Sequence, residues 1–199
     1  VIGTLWFLDH ARRHIKKWMK PERRSPQALF AGPNSLKVTY QPKGVVGIVA
    51  PWNMPLYLSI GPLVTALAAG NRAMIKLPED TPLANAVIKQ LLSEIFSEEE
   101  VAVFGDELSD PAAFTALPFD HLIFTGSPRV GRIVMAAAAQ NLVPVTLELG
   151  GKSPAIVAPD YDVDDAALRI THGKAAMSGQ ICVAPDYVLV PEAKVAQFV

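Results

Sequence analysis

Two hydrophobic periods alternate along most of this chain. Short apolar runs of buried-strand type are followed by longer stretches in which apolar residues return every three or four positions, as on one face of a helix. Val45–Val49 is the first clear run, and Pro51-Trp52-Asn53 ends it. The next pattern places Leu56, Ile60, Leu63, Val64 and Leu67 on one helical face, with a stop at Gly70-Asn71 and a kink expected at Pro62. Residues 73–77 read as a strand. Thr81-Pro82 then opens a helix, Thr as N-cap and Pro at the first helical position, with Leu83, Val87, Leu91 and Ile95 as its buried stripe. Strands follow at 101–104 and 121–125, and a helix opens at Ser127-Pro128 and runs to about Gln140. Residues 145–149 and 155–157 are strand-like, 162 to about 177 helical, and 187–190 a strand. Upstream, the basic stretch 9–24 reads as a surface helix, and 25–44 as a loop with a weak edge strand at 36–40.

Strands alternating with helices predict an α/β fold, a mainly parallel sheet covered on both faces. Gly150-Gly151 follows the last strand of the alternating block, which places a domain junction there, between 1–149 and 150–199. The chain begins without Met and stops as a new amphipathic segment starts after Pro191, so it reads as an internal piece of a longer protein.

Composition narrows the function classes. Half of the residues are hydrophobic and 19% are charged, which is globular. A net charge of -1 supplies no basic field for nucleic acid or an anionic membrane. One cysteine excludes an internal disulfide and fits a reducing, cytoplasmic setting. The apolar start has no basic region before it and no cleavage site after it, and no apolar stretch reaches bilayer length, so neither a signal peptide nor a transmembrane segment is expected.

Five groups of residues carry candidate chemistry, each with a plainer alternative. Phe124-Thr125-Gly126-Ser127, with Gly131 a turn later, is either an ordinary capped helix or a helix N-terminus that meets a phosphate. The usual GxGxxG of dinucleotide folds is absent. Lys76 and Glu79 end a strand, as a solvated pair or as a ribose site. Asn53, between Pro51 and Pro55, is a turn residue or a rigid donor to an oxyanion. Glu148 in an apolar strand is a hydrogen-bonded structural group or a general base with a raised pKa. Cys182, after Ser178-Gly179-Gln180-Ile181, is a small buried hydrophobe or a nucleophile.

Taken together and in this order, these motifs resemble the aldehyde dehydrogenase superfamily. Pro51-Trp52-Asn53, Lys76-x-x-Glu79, Phe124-Thr125-Gly126-Ser127 and Gly131 all match its pattern, as do Leu147-Glu148-Leu149-Gly150-Gly151-Lys152-Ser153-Pro154 and Gly179-Gln180-x-Cys182. Cys182-Val183-Ala184-Pro185-Asp186-Tyr187 looks like the class 3 and fatty-aldehyde branch. Leu117-Pro118-Phe119-Asp120-His121 and the basic helix look like bacterial coniferyl aldehyde dehydrogenases.

The resemblance implies a Rossmann-like NAD(P)-binding domain over 1–149 and the beginning of an α/β catalytic domain over 150–199. It implies Cys182 as nucleophile, Asn53 and the Cys182 N–H as oxyanion donors, and Glu148 as the base that activates water. Lys76 and Glu79 are implied for the adenosine ribose and Ser127 for the pyrophosphate, with Gly126, Gly131, Trp52 and Gly150 completing the cofactor set. NAD is expected over NADP because Glu79 repels a 2′-phosphate. An aromatic or long-chain aldehyde such as coniferaldehyde is the expected substrate, and a homodimer the expected full-length state.

Two departures accompany the resemblance. Met177 stands where the family usually has Asn, five residues before the nucleophile. The family's second conserved Glu, in Glu-x-Phe-Gly-Pro, falls beyond Val199. The alternatives are a dehydrogenase that passes the acyl group to coenzyme A, and a catalytically inactive piece with a structural role.

Overall fold

The computed structural model describes residues 1–25, 32, 34–108 and 110–199. Of the loop expected over 25–44, residues 26–31 and 33 lie outside the described residues. Two compact units are present, Val1–Glu148 and Leu149–Val199.

The first unit opens with α1 (Ile2–Trp18), then β1 (Glu22–Arg24), β2 (Leu36–Val38) and β3 (Val45–Val49). It continues with α2 (Pro55–Ala68), β4 (Arg72–Lys76), α3 (Pro82–Ser93), β5 (Val101–Phe104) and α4 (Pro111–Thr115). The last elements are β6 (His121–Gly126), α5 (Pro128–Ala139) and β7 (Val145–Leu149), whose final residue already belongs to the second unit.

The basic helix differs from its expected bounds. It takes in the apolar residues from Ile2 and ends at Trp18. Pro21 cannot continue it, and Glu22–Arg24 instead pairs antiparallel with Leu36–Val38.

Five strands form one sheet in the order β5-β4-β3-β6-β7. β3 pairs parallel with β4 and β6, and β4 with β5. Ile48, Ile75, Leu77 and Leu122 are wholly buried, as expected where helices cover both faces of parallel strands. The chain builds β4 and β5 outward from β3, then crosses back to lay β6 on the other side.

Side chains tie the N-terminal edge of this sheet together. α2 runs through Pro62 as one helix and ends at Gly70, φ 85°. There the Gly70 N–H donates to Leu67 O (2.9 Å) and the Asn71 N–H to Ala66 O (3.0 Å), a Schellman motif. The Asn71 amide oxygen accepts from the Lys43 and Gly44 N–H groups at 2.6 and 3.0 Å. Asp120 accepts from the Val45 N–H at 2.7 Å. The Lys43 ammonium donates to His121 Nδ1 (3.1 Å), and His121 Nε2 lies 2.9 Å from the Thr146 hydroxyl. Burial and the Lys43 charge both lower the His121 pKa.

One expected face is wrong. Leu83, Val87, Leu91 and Ile95 are exposed, and α3 buries Asn85, Ile88 and Leu92 instead. Both sets have helical spacing, but positions 83 and 85 lie roughly 200° apart around the helix. The polar Asn85 hid the true inner face. Ser127 caps α5 as expected, accepting from the Val130 N–H at 3.3 Å. Thr81 precedes α3 without capping it, because its hydroxyl donates to Asn85 Oδ1.

The second unit pairs β8 (Ser153–Ile156) parallel with β9 (Pro185–Leu189), with α6 (Val163–Ala175) between them in sequence. Asp162 caps α6, accepting from the Asp165 N–H at 2.8 Å. Two short 3₁₀ turns (Ala176–Gly179 and Glu192–Lys194) and α7 (Val195–Phe198) complete it. Among the described residues, no helix is long and apolar enough to cross a membrane.

The burial of α3 yields a direct comparison. Ile88→Ala is expected to cost about 2–5 kcal/mol, whereas Leu83→Gln and Val87→Gln should each stay within about 0.5 kcal/mol. Urea denaturation midpoints measure both.

Candidate functional site

In an open parallel sheet, the C-terminal strand ends next to a reversal of strand order leave a crevice for ligands. Here that reversal lies between β3 and β6. Pro51-Trp52-Asn53 follows β3, with Trp52 exposed and Asn53 half-buried. Gly126-Ser127 follows β6 and opens α5. Lys76 and Glu79 follow on the neighbouring strand β4. The fold thus brings to one sheet edge three groups that lie far apart in sequence.

Backbone chemistry explains several of these positions. A Cβ on Gly126 would stand 2.5 Å from the Phe124 ring, so any side chain there would displace that buried ring. Gly131 is buried on α5, its N–H donating to Ser127 O at 2.9 Å. The first N–H groups of α5 and its dipole face the end of β6, a setting that favours an anion.

Lys76 is 5% exposed and forms an ion pair with Glu79. Burial acts to raise the Glu79 pKa. The Lys76 hydrogen bond, Glu79's own backbone N–H and the Lys76 charge outweigh it and hold the carboxyl below its ordinary value. Glu79 is therefore a carboxylate at neutral pH with one flank open to solvent.

A further cluster supports this edge and is not evident from the sequence. Asn85 donates to Pro78 O at 2.7 Å and reaches Asp106 Oδ1 at 3.4 Å. Glu107 accepts from the Gly105 N–H at 2.9 Å and pairs with Lys89. The Lys89 hydrogen bond, with the backbone N–H groups of Gly105 and Glu107, brings the Glu107 pKa from 4.5 to about 2. A polar residue at helical spacing within an apolar pattern, Asn85 before Ile88 and Leu92, was the available signal.

Glu148 departs from expectation. Its apolar neighbours implied burial, but the residue is exposed, because alternate positions of β7 face away from the partly buried Leu147 and Leu149. In the second unit, Gly150 is exposed and its Cβ position is open.

Cys182 is also exposed, so the plainer reading of a small core residue does not describe it. A left-handed turn introduces it, with Met177, Ser178 and Gly179 at φ 50°, 56° and 74°. The expected helix to residue 177 therefore ends at Ala175, and the reversal occupies the residues in between. Ala184 N–H closes the next turn onto Ile181 O at 3.0 Å.

The model of the aldehyde dehydrogenase family matches residues 5–199. The chain belongs to that family. A "probable coniferyl aldehyde dehydrogenase" of Pseudomonas aeruginosa is 56% identical over the whole chain, which covers 42% of that protein. The coniferyl aldehyde dehydrogenase of a Pseudomonas species is 48% identical, with 41% of its length covered. Among solved aldehyde dehydrogenases, Staphylococcus aureus AldH in a substrate-bound state superposes with a TM-score of 0.90 at 43% identity, over 98% of this chain and 42% of that one. The Mycobacterium tuberculosis enzyme complexed with NAD+ gives 0.87 at 31% identity, over 98% and 40%. The chain thus spans about two fifths of the length of these relatives.

Two measurements follow from the geometry. Gly179→Ala forces a Cβ into a left-handed conformation and is expected to lower stability by about 1–2 kcal/mol, read as a lower melting temperature. Glu107, its pKa depressed on folding, contributes stability that is fully present above about pH 4.5 and is lost as pH falls toward 2. The stability gap between the wild type and Glu107→Gln should therefore be open at pH 6 and closed near pH 2 in denaturant titrations.

Proposed function

We propose that the complete protein oxidises an aldehyde to its carboxylic acid with NAD, through a covalent cysteine intermediate. The reading rests on one observation above all. The family motifs that follow β3, β4 and β6 gather at the sheet edge where strand order reverses.

The donor set at that edge fits a dinucleotide. The α5 N-terminus and Ser127, with Gly126 and Gly131 keeping the turn compact, receive the pyrophosphate. Lys76 and Glu79 bind the adenosine ribose hydroxyls, and Trp52 completes the site. Glu79 is ionised and repels a 2′-phosphate, so NAD is preferred to NADP. When bound, the nicotinamide supplies the acceptor for the hydride that carries both electrons away from the aldehyde carbon.

The remaining roles fall to side chains of this chain. The Cys182 thiolate adds to the carbonyl carbon. The Asn53 amide and the Cys182 N–H hold the resulting oxyanion. Loss of hydride leaves a thioester on Cys182. Glu148 takes a proton from water, which attacks the thioester and frees the acid and the thiolate. An aromatic or long-chain aldehyde is the proposed substrate, and coniferaldehyde is the first to test, because the relatives at 56% and 48% identity carry that name.

The test is NADH formation by the complete protein with coniferaldehyde and with a long-chain alkanal. Cys182→Ser should reduce turnover by at least roughly a thousandfold. Glu148→Gln should leave a burst of about one NADH per site followed by a stall, because acylation proceeds and hydrolysis does not. Free acid is the expected product. Steady turnover only in the presence of coenzyme A, with acyl-coenzyme A in place of free acid as product, would overturn the hydrolytic reading, and full turnover by Cys182→Ser would overturn the covalent one.

A further inference from the structure

Asn85 is a polar side chain on the inner face of α3, and it is only 1% exposed. Burying an amide is costly unless its hydrogen bonds are made. Three are made here. Nδ2 donates to Pro78 O at 2.7 Å and reaches Asp106 Oδ1 at 3.4 Å. Oδ1 accepts from the Thr81 hydroxyl at 3.1 Å. Pro78 immediately precedes Glu79 and Thr81 follows it by two residues, so one amide grips the chain on both sides of that carboxylate. The grip is anchored in turn. Asp106 lies in the loop after β5, and Glu107 holds that loop to α3 through the Gly105 N–H and Lys89.

We propose that Asn85 is a positioning residue that fixes Glu79 beside Lys76 and thereby sets the affinity for the adenosine ribose and the preference for a 2′-hydroxyl over a 2′-phosphate. The proposal rests on the reading of Lys76 and Glu79 as the ribose site. Asn85 itself is too deeply buried to meet the cofactor. Its amide chemistry is what the site demands. An aspartate would set carboxylate oxygens against Pro78 O and Asp106. An apolar residue would pack but would leave the buried Pro78 carbonyl without its donor. The loop would then relax, and Glu79 would leave the place where Lys76 holds it.

The experiment uses the complete protein and four variants: Asn85→Leu, the milder Thr81→Val, Glu79→Gln, and the double Asn85→Leu/Glu79→Gln. The readouts are the NADH Kd from fluorescence titration, kcat and KM for NAD and NADP, and the melting temperature. Asn85→Leu is expected to raise Kd and KM about tenfold, equivalent to about 1.4 kcal/mol, with kcat within about twofold and a narrowed NAD preference. Thr81→Val should shift the same quantities by about threefold. In the Glu79→Gln background, Asn85→Leu should add less than about twofold, because the two residues act through one contact. A lowered melting temperature with unchanged Kd and unchanged NAD preference in Asn85→Leu and Thr81→Val would reduce Asn85 to a structural residue and overturn the proposal. If Asn85→Leu does not fold, the Kd and preference of Thr81→Val decide. Should Glu79→Gln itself leave Kd unchanged, the ribose reading fails first and this proposal falls with it.

Discussion

A central strand flanked on both sides by strands running the same way is the constraint on which the first unit depends. β3 pairs in parallel with β4 and β6. Parallel neighbours cannot be joined by a tight hairpin, so each must be reached by a covering helix. That requirement buries both faces of β3, and it also sends β3, β4, β5 and β6 toward the same edge. The loops after β3, β4 and β6 converge there because of chain direction alone. The chemistry of Asn53, Glu79 and Ser127 shares an edge for the same reason that Ile48 and Ile75 share a core.

Three of the polar groups held inside this framework are compensated individually, while the buried Thr4 hydroxyl has no partner among the described residues. Lys76 is buried beside Glu79, Asn85 spans Pro78, Thr81 and Asp106, and Ser59 donates to Pro55 O at 2.6 Å. Each would be expensive without its partners. Each partner lies in or next to a segment at the C-terminal edge of the sheet. These three place buried polarity where loop shape matters, while Ile48, Ile75 and Leu122 fill the sheet centre.

Much of this was legible in the sequence. The strand cores at 45–49, 101–104 and 145–149 lie where β-branched runs place them, and α5 begins at the Ser127-Pro128 signal. Those signals are local, and burial reinforces them. The failures have physical causes. On α3 two stripes have helical spacing, and a pattern of hydrophobicity favours the exposed one because it cannot recognise a core position held by an amide. Glu148 was expected to be buried from the character of its neighbours, although alternate residues of a strand face opposite ways. The end of α6 was placed late because Met177 and Ser178 carry no signal for left-handed backbone, and only Gly179 does. Strand order was not legible at all, since it depends on contacts between segments remote in sequence.

The knitted N-terminal edge has its own consequence. Asn71 links the last turn of α2 to the start of β3, Asp120 links β3 to the entry of β6, and His121 links β6 to β7. A fluctuation that opens any one of these junctions must also break a bond belonging to its neighbour. The floor of the sheet should then open as one cooperative unit under native conditions, with slowly exchanging amides, while the loops at the opposite rim retain separate, lower-energy openings. A scaffold of this kind can reshape its rim without loosening its base.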